Sequence, residues 1–220
     1  MHFTEQERNT LYNIIFNRRD VRREFLPNPI SDDVIQRLLT AAHHAPSVGF
    51  MQPWDFVVIK SKATRQRIKD GFDIANQQSA ELFSGERKNQ YKSLKLEGIL
   101  EAPLGICITC DRERTGQVVL GKTIKPEMDL FSTVCAAQNL WLAARAENLG
   151  MGWVSILHDE VLYETLNIPR NLDIIGYFCI GYVSRFQQTP DLERYGWQSR
   201  RDVQSAVHYE SWSHSTPHNK

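Results

Sequence analysis

The chain has 220 residues, enough to bury a full core, and that length favours one domain or a core with a long excursion. Its 26 basic and 26 acidic residues cancel, so it carries no electrostatic footprint for nucleic acid or an anionic membrane. No run approaches the roughly 18 apolar residues of a bilayer span, and the polar N-terminal stretch lacks the apolar centre of a signal peptide; a cytoplasmic protein without nucleic-acid or membrane partners is expected.

Thr4-Glu5-Gln6-Glu7 fits a capping box with Phe3 as its staple, so a helix is predicted from there. Leu11, Ile14 and Ile15 form its apolar stripe, and the string Arg18-Arg19-Asp20-Val21-Arg22 ends it. Ser31, followed by Asp32 and Asp33, opens a second helix, with Val34, Leu38, Ala42 and Ala45 in helical period up to Pro46. A turn-rich loop follows, Pro46-Ser47-Val48-Gly49-Phe50-Met51-Gln52-Pro53, and then Trp54-Asp55-Phe56-Val57-Val58-Ile59, which reads as a buried strand. Residues 63–83 predict a helix. The more polar stretch 84–102, with Lys88, Tyr91, Lys92 and Lys95, reads as a lid or partner-contacting arm or as a solvated helical hairpin.

Residues 104–110 read as a buried strand carrying Cys107 and Cys110. Residues three apart on a strand point to opposite faces, so this pair neither shares a metal nor closes a disulfide. Cys135 and Cys179 lie in apolar runs and read as small core residues. No second pair completes a zinc set: His43 and His44 are adjacent, and the tail histidines His208, His214 and His218 read as unstructured. A loop over 111–126 leads to the longest helix, 127–149, with Gly150 as its stop. Gly152-Trp153-Val154-Ser155-Ile156 reads as a short strand, 159–166 as a brief helix, and 174–183 as the strongest strand. The tail 184–220 is polar, holds Trp197 and Trp212 and has no core pattern, which suits packing on another subunit. Strands separated by helices argue α/β or α+β.

Three guanidinium groups surround one carboxylate in Arg18-Arg19-Asp20-Val21-Arg22. Arginine's planar fork suits bidentate phosphate binding, and Asp20 would be an anion at neutral pH beside whatever the arginines bind. A solvated basic face is the plain alternative. The 46–54 loop offers a hydroxyl, a carboxamide and bare backbone at Gly49, a set suited to a flat polar ring. Together they point to a nucleotide-like cofactor. Gly150-x-Gly152 lacks the third glycine of a dinucleotide fingerprint, and neither a P-loop nor a Gly-x-Ser-x-Gly elbow occurs. Ser155 reads as a hydroxyl facing a pocket or as a core serine bonded to backbone.

Taken together, these strings resemble the flavin-dependent nitroreductase superfamily. Its Arg-Arg-Ser-x-Arg, Pro-Ser-(Ser)-x-Asn-x-Gln-Pro-Trp and Gly-x-Gly segments stand here at residues 18–22, 46–54 and 150–156, with Asp20 in place of the usual Ser and Phe50 in place of the usual Asn. Those departures, with Ser93-Leu94-Lys95-Leu96-Glu97-Gly98-Ile99-Leu100 and Gly152-Trp153-Val154-Ser155, make the chain similar to the BluB branch, the 5,6-dimethylbenzimidazole synthases. The resemblance implies an α+β fold: a central mixed, mainly antiparallel sheet flanked by helices, in an intertwined homodimer with an extended C-terminal tail and FMN at the subunit interface. It implies that reduced FMN is a substrate, broken with dioxygen into 5,6-dimethylbenzimidazole, the lower ligand of vitamin B12, and D-erythrose 4-phosphate. No metal is implied.

By the same resemblance, Arg18, Arg19 and Arg22 would hold the ribityl phosphate and the polar ring edge, Asp20 and Val21 would be flavin contacts between them, and Pro46, Ser47, Met51 and Gln52 would position the ring. Leu94 and Lys95, with Trp153, Val154 and Ser155, would complete the flavin contacts. Asp20 and Ser155 would be catalytic, Asp20 as general base on the ribityl chain and Ser155 steering dioxygen near the flavin N5/C4a region. Residues 84–100 would be a lid that excludes water, and a separate NAD(P)H-dependent flavin reductase would supply reduced FMN. The rivals are an ordinary NAD(P)H-dependent nitroreductase and a non-catalytic FMN-binding module.

Overall fold

The structure is a computed structural model and describes residues 2–212. The chain divides into two compact units, residues 1–188 and 189–220.

In the first unit, helix α1 (Glu5–Asn17) starts on the expected capping box: Glu7 N donates to Thr4 Oγ1 at 3.3 Å and Thr4 N to Glu7 Oε2 at 2.7 Å. Its apolar stripe is not buried as the sequence suggests. Leu11, Tyr12, Ile15 and Phe16 remain 39–68% exposed, because none of the described residues covers that face. Helix α2 (Asp32–His43) is capped by Ser31, and strand β1 (Trp54–Ile59) follows the loop. Helices α3 (Lys62–Glu81) and α4 (Gly85–Ser93) form a hairpin joined by Tyr91 Oη, which donates to Asn76 Oδ1 at 2.8 Å. Then come β2 (Leu104–Cys110), α5 (Met128–Ala146), β3 (Leu149–Val154), α6 (Asp159–Leu166) and β4 (Asp173–Tyr182).

The sheet order is β1-β2-β4-β3, and every pair is antiparallel. Side chains alternate across it, so each strand feeds two cores. Helices α2 and α5 cover one face, where Leu38, Ala42 and Leu140 pack on Ile106, Ile108, Phe178 and Ile180. Helices α3 and α6 with residues 99–102 cover the other, where Ile68, Phe72, Ile99 and Leu162 pack on Ile59, Cys107, Tyr177 and Cys179. Each fully buried aliphatic side chain contributes roughly 1.5–3 kcal/mol, so β2, buried at all seven positions, lies at the centre of the stability.

Several local readings change. Helix α5 ends at Ala146, and the turn into β3 is made by Asn148 in the left-handed region (φ 58°), not by Gly150. Gly150 is a strand residue whose added Cβ would stand 2.5 Å from Val183 Cγ1. Ser155 lies just past β3 and is exposed. Cys135 is also exposed, on the outer face of α5, rather than in the core. Residues 97–99 are buried, so the second half of the 84–102 stretch is packed rather than a surface excursion.

The other cysteines behave as expected. Cys107 belongs to the α3/α6 core while the Cys110 thiol bonds to Thr133 of α5, so the two face opposite ways. Burial pushes the Cys107 thiol up to about 12 and the Cys179 thiol higher still, which leaves no thiolate at neutral pH. Among the described residues, no cluster of His, Cys, Asp and Glu could hold a metal ion, and no helix is long and apolar enough to cross a membrane.

The second unit, in its described part, holds the short helix α7 (Asp191–Arg194) and a 3-10 turn (Val203–Ala206). Trp197 N donates to Leu192 O at 2.8 Å, and Trp212 is exposed, its ring stacked on His208 at 4.3 Å. His214 and His218 lie outside the described residues.

Candidate active site

The arginine string is positioned by the free edge of β3. After α1 the backbone turns extended at Arg18 (φ −67°, ψ 134°). It then runs beside β3, with Asp20 and Met151 in a parallel bridge and Val21 N donating to Met151 O at 3.0 Å. This approach requires a bare Cα at Gly152: a Cβ there would overlap Val21 O and stand 3.2 Å from Asp20 Oδ1.

Asp20 is held from two sides. Its Oδ1 accepts the Trp153 N–H at 3.2 Å, and its Oδ2 pairs with Arg22. The Arg22 side chain is 13% exposed against 33% for Asp20, so the carboxylate keeps an open flank while its cation is sunk behind it. Arg22 Nε is buried and makes no hydrogen bond to the described residues. Arg18 lies over the Trp141 ring at 4.6 Å, and Trp141 Nε1 donates to Arg19 O at 3.2 Å. Arg19 turns its guanidinium to main-chain carbonyls, those of Phe16 and Arg18 at 2.8 Å and that of Gln188. Val21 is a core residue, 5% exposed.

The end of β3 carries the second set. Trp153 packs against Phe178 and Trp141, at 4.8 and 6.5 Å between rings, and Val154 is buried. Ser155 opens onto a cavity of about 350 Å³ lined also by Ser79, Leu82, Ile156, Leu157 and His158. Two residues separate Ser155 from the Trp153 amide that grips Asp20, about 7 Å along extended chain. Asp20 and Ser155 thus both lie at the C-terminal end of β3, although Asp20 does not line that cavity.

The 46–53 loop is tightly wound. Gly49, Phe50 and Gln52 all adopt positive φ, at 53°, 53° and 46°. Such backbone is costly for non-glycine residues and collects at functional sites. Ser47 Oγ accepts the Gln52 N–H and Ser132 Oγ the Val48 N–H, both at 3.0 Å. Met51 points inward, 2% exposed, whereas Phe50 is 80% exposed and Pro46 is exposed. This loop leads into β1, the sheet edge opposite β3. Three strand spacings separate the edges by about 14 Å, so the structure does not bring the loop to the arginine string within one chain.

Leu94 caps α4, its N–H donating to Tyr91 O at 3.1 Å, and Lys95 pairs with Glu97 and Glu101. The segment lies close to the arginine string: a Cβ on Gly98 would stand 2.6 Å from the Phe25 ring and 3.2 Å from Arg22 O. Sequence reasoning missed Glu97 and Arg65, both buried. The signal was present in Glu97, an acid amid Leu96, Gly98 and Ile99.

This sheet, its two helical layers and its edge-running N-terminal segment place the chain in the α+β class of nitroreductase-like folds. A structure of iodotyrosine deiodinase bound to FMN and 3-iodo-L-tyrosine matches it with TM-score 0.73 at 19% identity, covering 92% of this chain and 100% of that one. A BluB-like flavoprotein from Clostridium difficile 630 matches with TM-score 0.68 at 19% identity, covering 91% and 99%. Residues 15–182 fit the Nitroreductase family, and the chain belongs to that family. It is 44% identical over 184 residues to a 5,6-dimethylbenzimidazole synthase of Rhodospirillum rubrum, covering 84% of this chain and 87% of the relative. To a protein of the same name from Rhodobacter capsulatus it is 38% identical over 198 residues, covering 90% and 95%. The resemblance drawn from the motifs therefore holds.

Proposed function

We propose that this chain is a cytoplasmic 5,6-dimethylbenzimidazole synthase that takes reduced FMN and dioxygen to 5,6-dimethylbenzimidazole and D-erythrose 4-phosphate. The observation that carries the reading is Asp20, a half-buried carboxylate fixed by the Trp153 amide and Arg22 near Ser155. The residues suit an anionic ligand: Arg22 has a buried Nε donor without a hydrogen bond to the described residues, and bare Gly152 lets the arginine string run close against β3. Bound reduced flavin supplies the electrons that dioxygen takes up and the carbon that the benzimidazole gains.

The chain's own residues bind, orient and move protons. Arg18, Arg22 and Lys95 meet the phosphate and the polar ring edge, with Leu94 beside them. Main-chain groups of Val21, Trp153 and Val154 line the floor. Arg19 holds the string in shape through its carbonyl contacts. Asp20 takes a proton from the ribityl chain through its open flank, and Arg22 and the Trp153 N–H keep both carboxylate oxygens aimed. Ser155 orients dioxygen from the end of β3. Helix α4, residues 85–93, acts as a lid against water, while residues 97–102 stay packed on the core.

Pro46, Ser47, Met51 and Gln52 contribute from a second copy, because within one chain they sit at the wrong sheet edge. A homodimer thus completes two composite sites. The arm 189–220 reaches the second copy. Reduced FMN comes from a separate NAD(P)H-dependent flavin reductase.

Aerobic incubation with FMN, NADPH and an independent flavin reductase, followed by chromatography, should yield 5,6-dimethylbenzimidazole. Rapid bleaching of bound FMN by NADPH alone under anaerobic conditions, with no benzimidazole formed aerobically, would make the chain an ordinary nitroreductase instead.

A further inference from the structure

Residues 94–102 contain an ion-pair triad of unequal halves. Lys95 Nζ donates to Glu97 Oε1 and to Glu101 Oε1, each at 2.6 Å. The Glu97 side chain is 4% exposed, and its other oxygen accepts the Ile99 N–H at 2.7 Å. The Glu101 side chain is 41% exposed. Burial alone would push the Lys95 ammonium down, but its bonds to Glu101 and Glu97 outweigh that and hold it above the ordinary lysine range. The turn itself is fastened to the core. The Gly98 N–H reaches the Cys179 thiol, and the buried Arg65 donates to Ile99 O and Leu100 O at 3.1 Å and to Ala102 O.

The triad lies beside Asp20. Cys179 pairs across the sheet with Gly152, over whose bare Cα the Asp20 carboxylate sits. One strand spacing, about 5 Å, separates Gly152 from Cys179, so Asp20 and the Gly98 turn stand over neighbouring strands, and Asp20, Glu97 and Glu101 all act on the Cys179 thiol.

One cation between two carboxylates leaves a net charge of −1. A solvent-exposed ion pair is weak and readily exchanged, whereas removing one member of a buried pair strands the other's charge. Lys95 therefore has one permanent partner and one that can be replaced. We propose that Lys95 is a latch for the phosphate end of the ligand: Glu97 permanently positions the ammonium, and Glu101 stands where a phosphomonoester would bind. The proposal rests on the flavin reading above and deepens it. Lys95 touches the ligand, Glu97 is a positioning residue, and Glu101 competes with the phosphate.

FMN and riboflavin differ by that phosphate, so fluorescence titration of both tests the latch. Glu101→Gln should tighten FMN by about two- to fivefold and leave riboflavin unchanged, an effect that vanishes in a Lys95→Met background. Glu97→Gln should loosen FMN by about tenfold or more with riboflavin held within about twofold. Because Glu101 is at the surface, its variant keeps the test decisive even if Glu97→Gln folds poorly. Unchanged or weaker FMN binding by Glu101→Gln, or an equal shift for both flavins, overturns the latch while the site stands. A wild-type protein that binds neither flavin overturns both.

Discussion

Asp20 replaces a hydroxyl with a carboxylate at a point where two donors already converge, and that decides what a substitution there can do. In Asp20→Asn the carboxamide oxygen can still accept the Trp153 N–H, so the strand edge keeps its bridge while the proton acceptor is lost. Benzimidazole formation should fall by about 10²- to 10⁴-fold, the usual contribution of a positioned general base. FMN affinity, read by fluorescence, should change little, because the cationic donors remain; normal turnover would remove the acid from the chemistry. Gly152 offers a contrasting probe, since it has no side chain to contribute. Gly152→Ala sets a methyl against Val21 O and Asp20 Oδ1, backbone on one side and a tethered carboxylate on the other. Overpacking of this kind costs about 1–3 kcal/mol, which urea unfolding would register, and flavin affinity should fall with it as the string is pushed off β3.

Helix α5 shows how an element is anchored from outside itself. Asp129 in its first turn is fully buried. It accepts from Arg112 Nε at 3.1 Å and from its own Leu130 N–H at 2.7 Å, and it pairs with Lys122. Burial alone would raise its carboxyl, but Lys122 and Arg112 outweigh burial and hold it below the ordinary range. A depressed native value means the stabilisation is fully present above the unfolded carboxyl's pKa of about 3.9 and is lost as pH falls through the native one. Asp129→Asn should therefore cost about 2 kcal/mol at pH 7, less than a fully enclosed pair because both cations reach solvent. The gap to wild type should close below about pH 4 in urea unfolding followed across pH. Elements of this kind were legible where local pattern and tertiary need agree. The period of Val34, Leu38 and Ala42 marked α2, and the apolar run 104–110 marked β2, because a strand covered on both faces must be apolar at every position. The Asp20, Trp54 and Ser155 strings carried the family resemblance, which the Nitroreductase match over residues 15–182 bears out. Legibility failed where the reason lies elsewhere in space. Gly150 read as a helix stop, yet its bareness serves Val21 and Val183 across the strand edge. Glu97 and Arg65 went unnoticed because their partners, Lys95 and the 99–102 carbonyls, meet them only through folding.

For the molecule as a whole, the exposed apolar surface is informative. Alpha helix α1 presents Leu11, Tyr12, Ile15 and Phe16, α5 presents Phe131 and Val134, and the 111–127 loop leaves Val118, Leu120 and Ile124 at 82–89% exposure. Exposed apolar surface on this scale marks an association face where it is contiguous, and the arginine string and the 46–53 loop stand at opposite sheet edges. The two-fold dimer proposed above would account for both, since an isologous interface can bring the loop of one copy to the arginine string of the other. Sedimentation should give about twice the 25.4 kDa chain mass, and Phe16→Glu, at a side chain 68% exposed in the monomer, should yield folded monomers with little flavin affinity. Mixing decides whether the sites are shared. Asp20→Asn and Gln52→Ala each disable every site of their own homodimer. In a mixed dimer of shared sites, one site collects both lesions and the other has none. Random subunit exchange should then restore about a quarter of wild-type benzimidazole formation. If each chain held a complete site by itself, no mixture could contain an intact one, and activity would stay at the level of the separate variants.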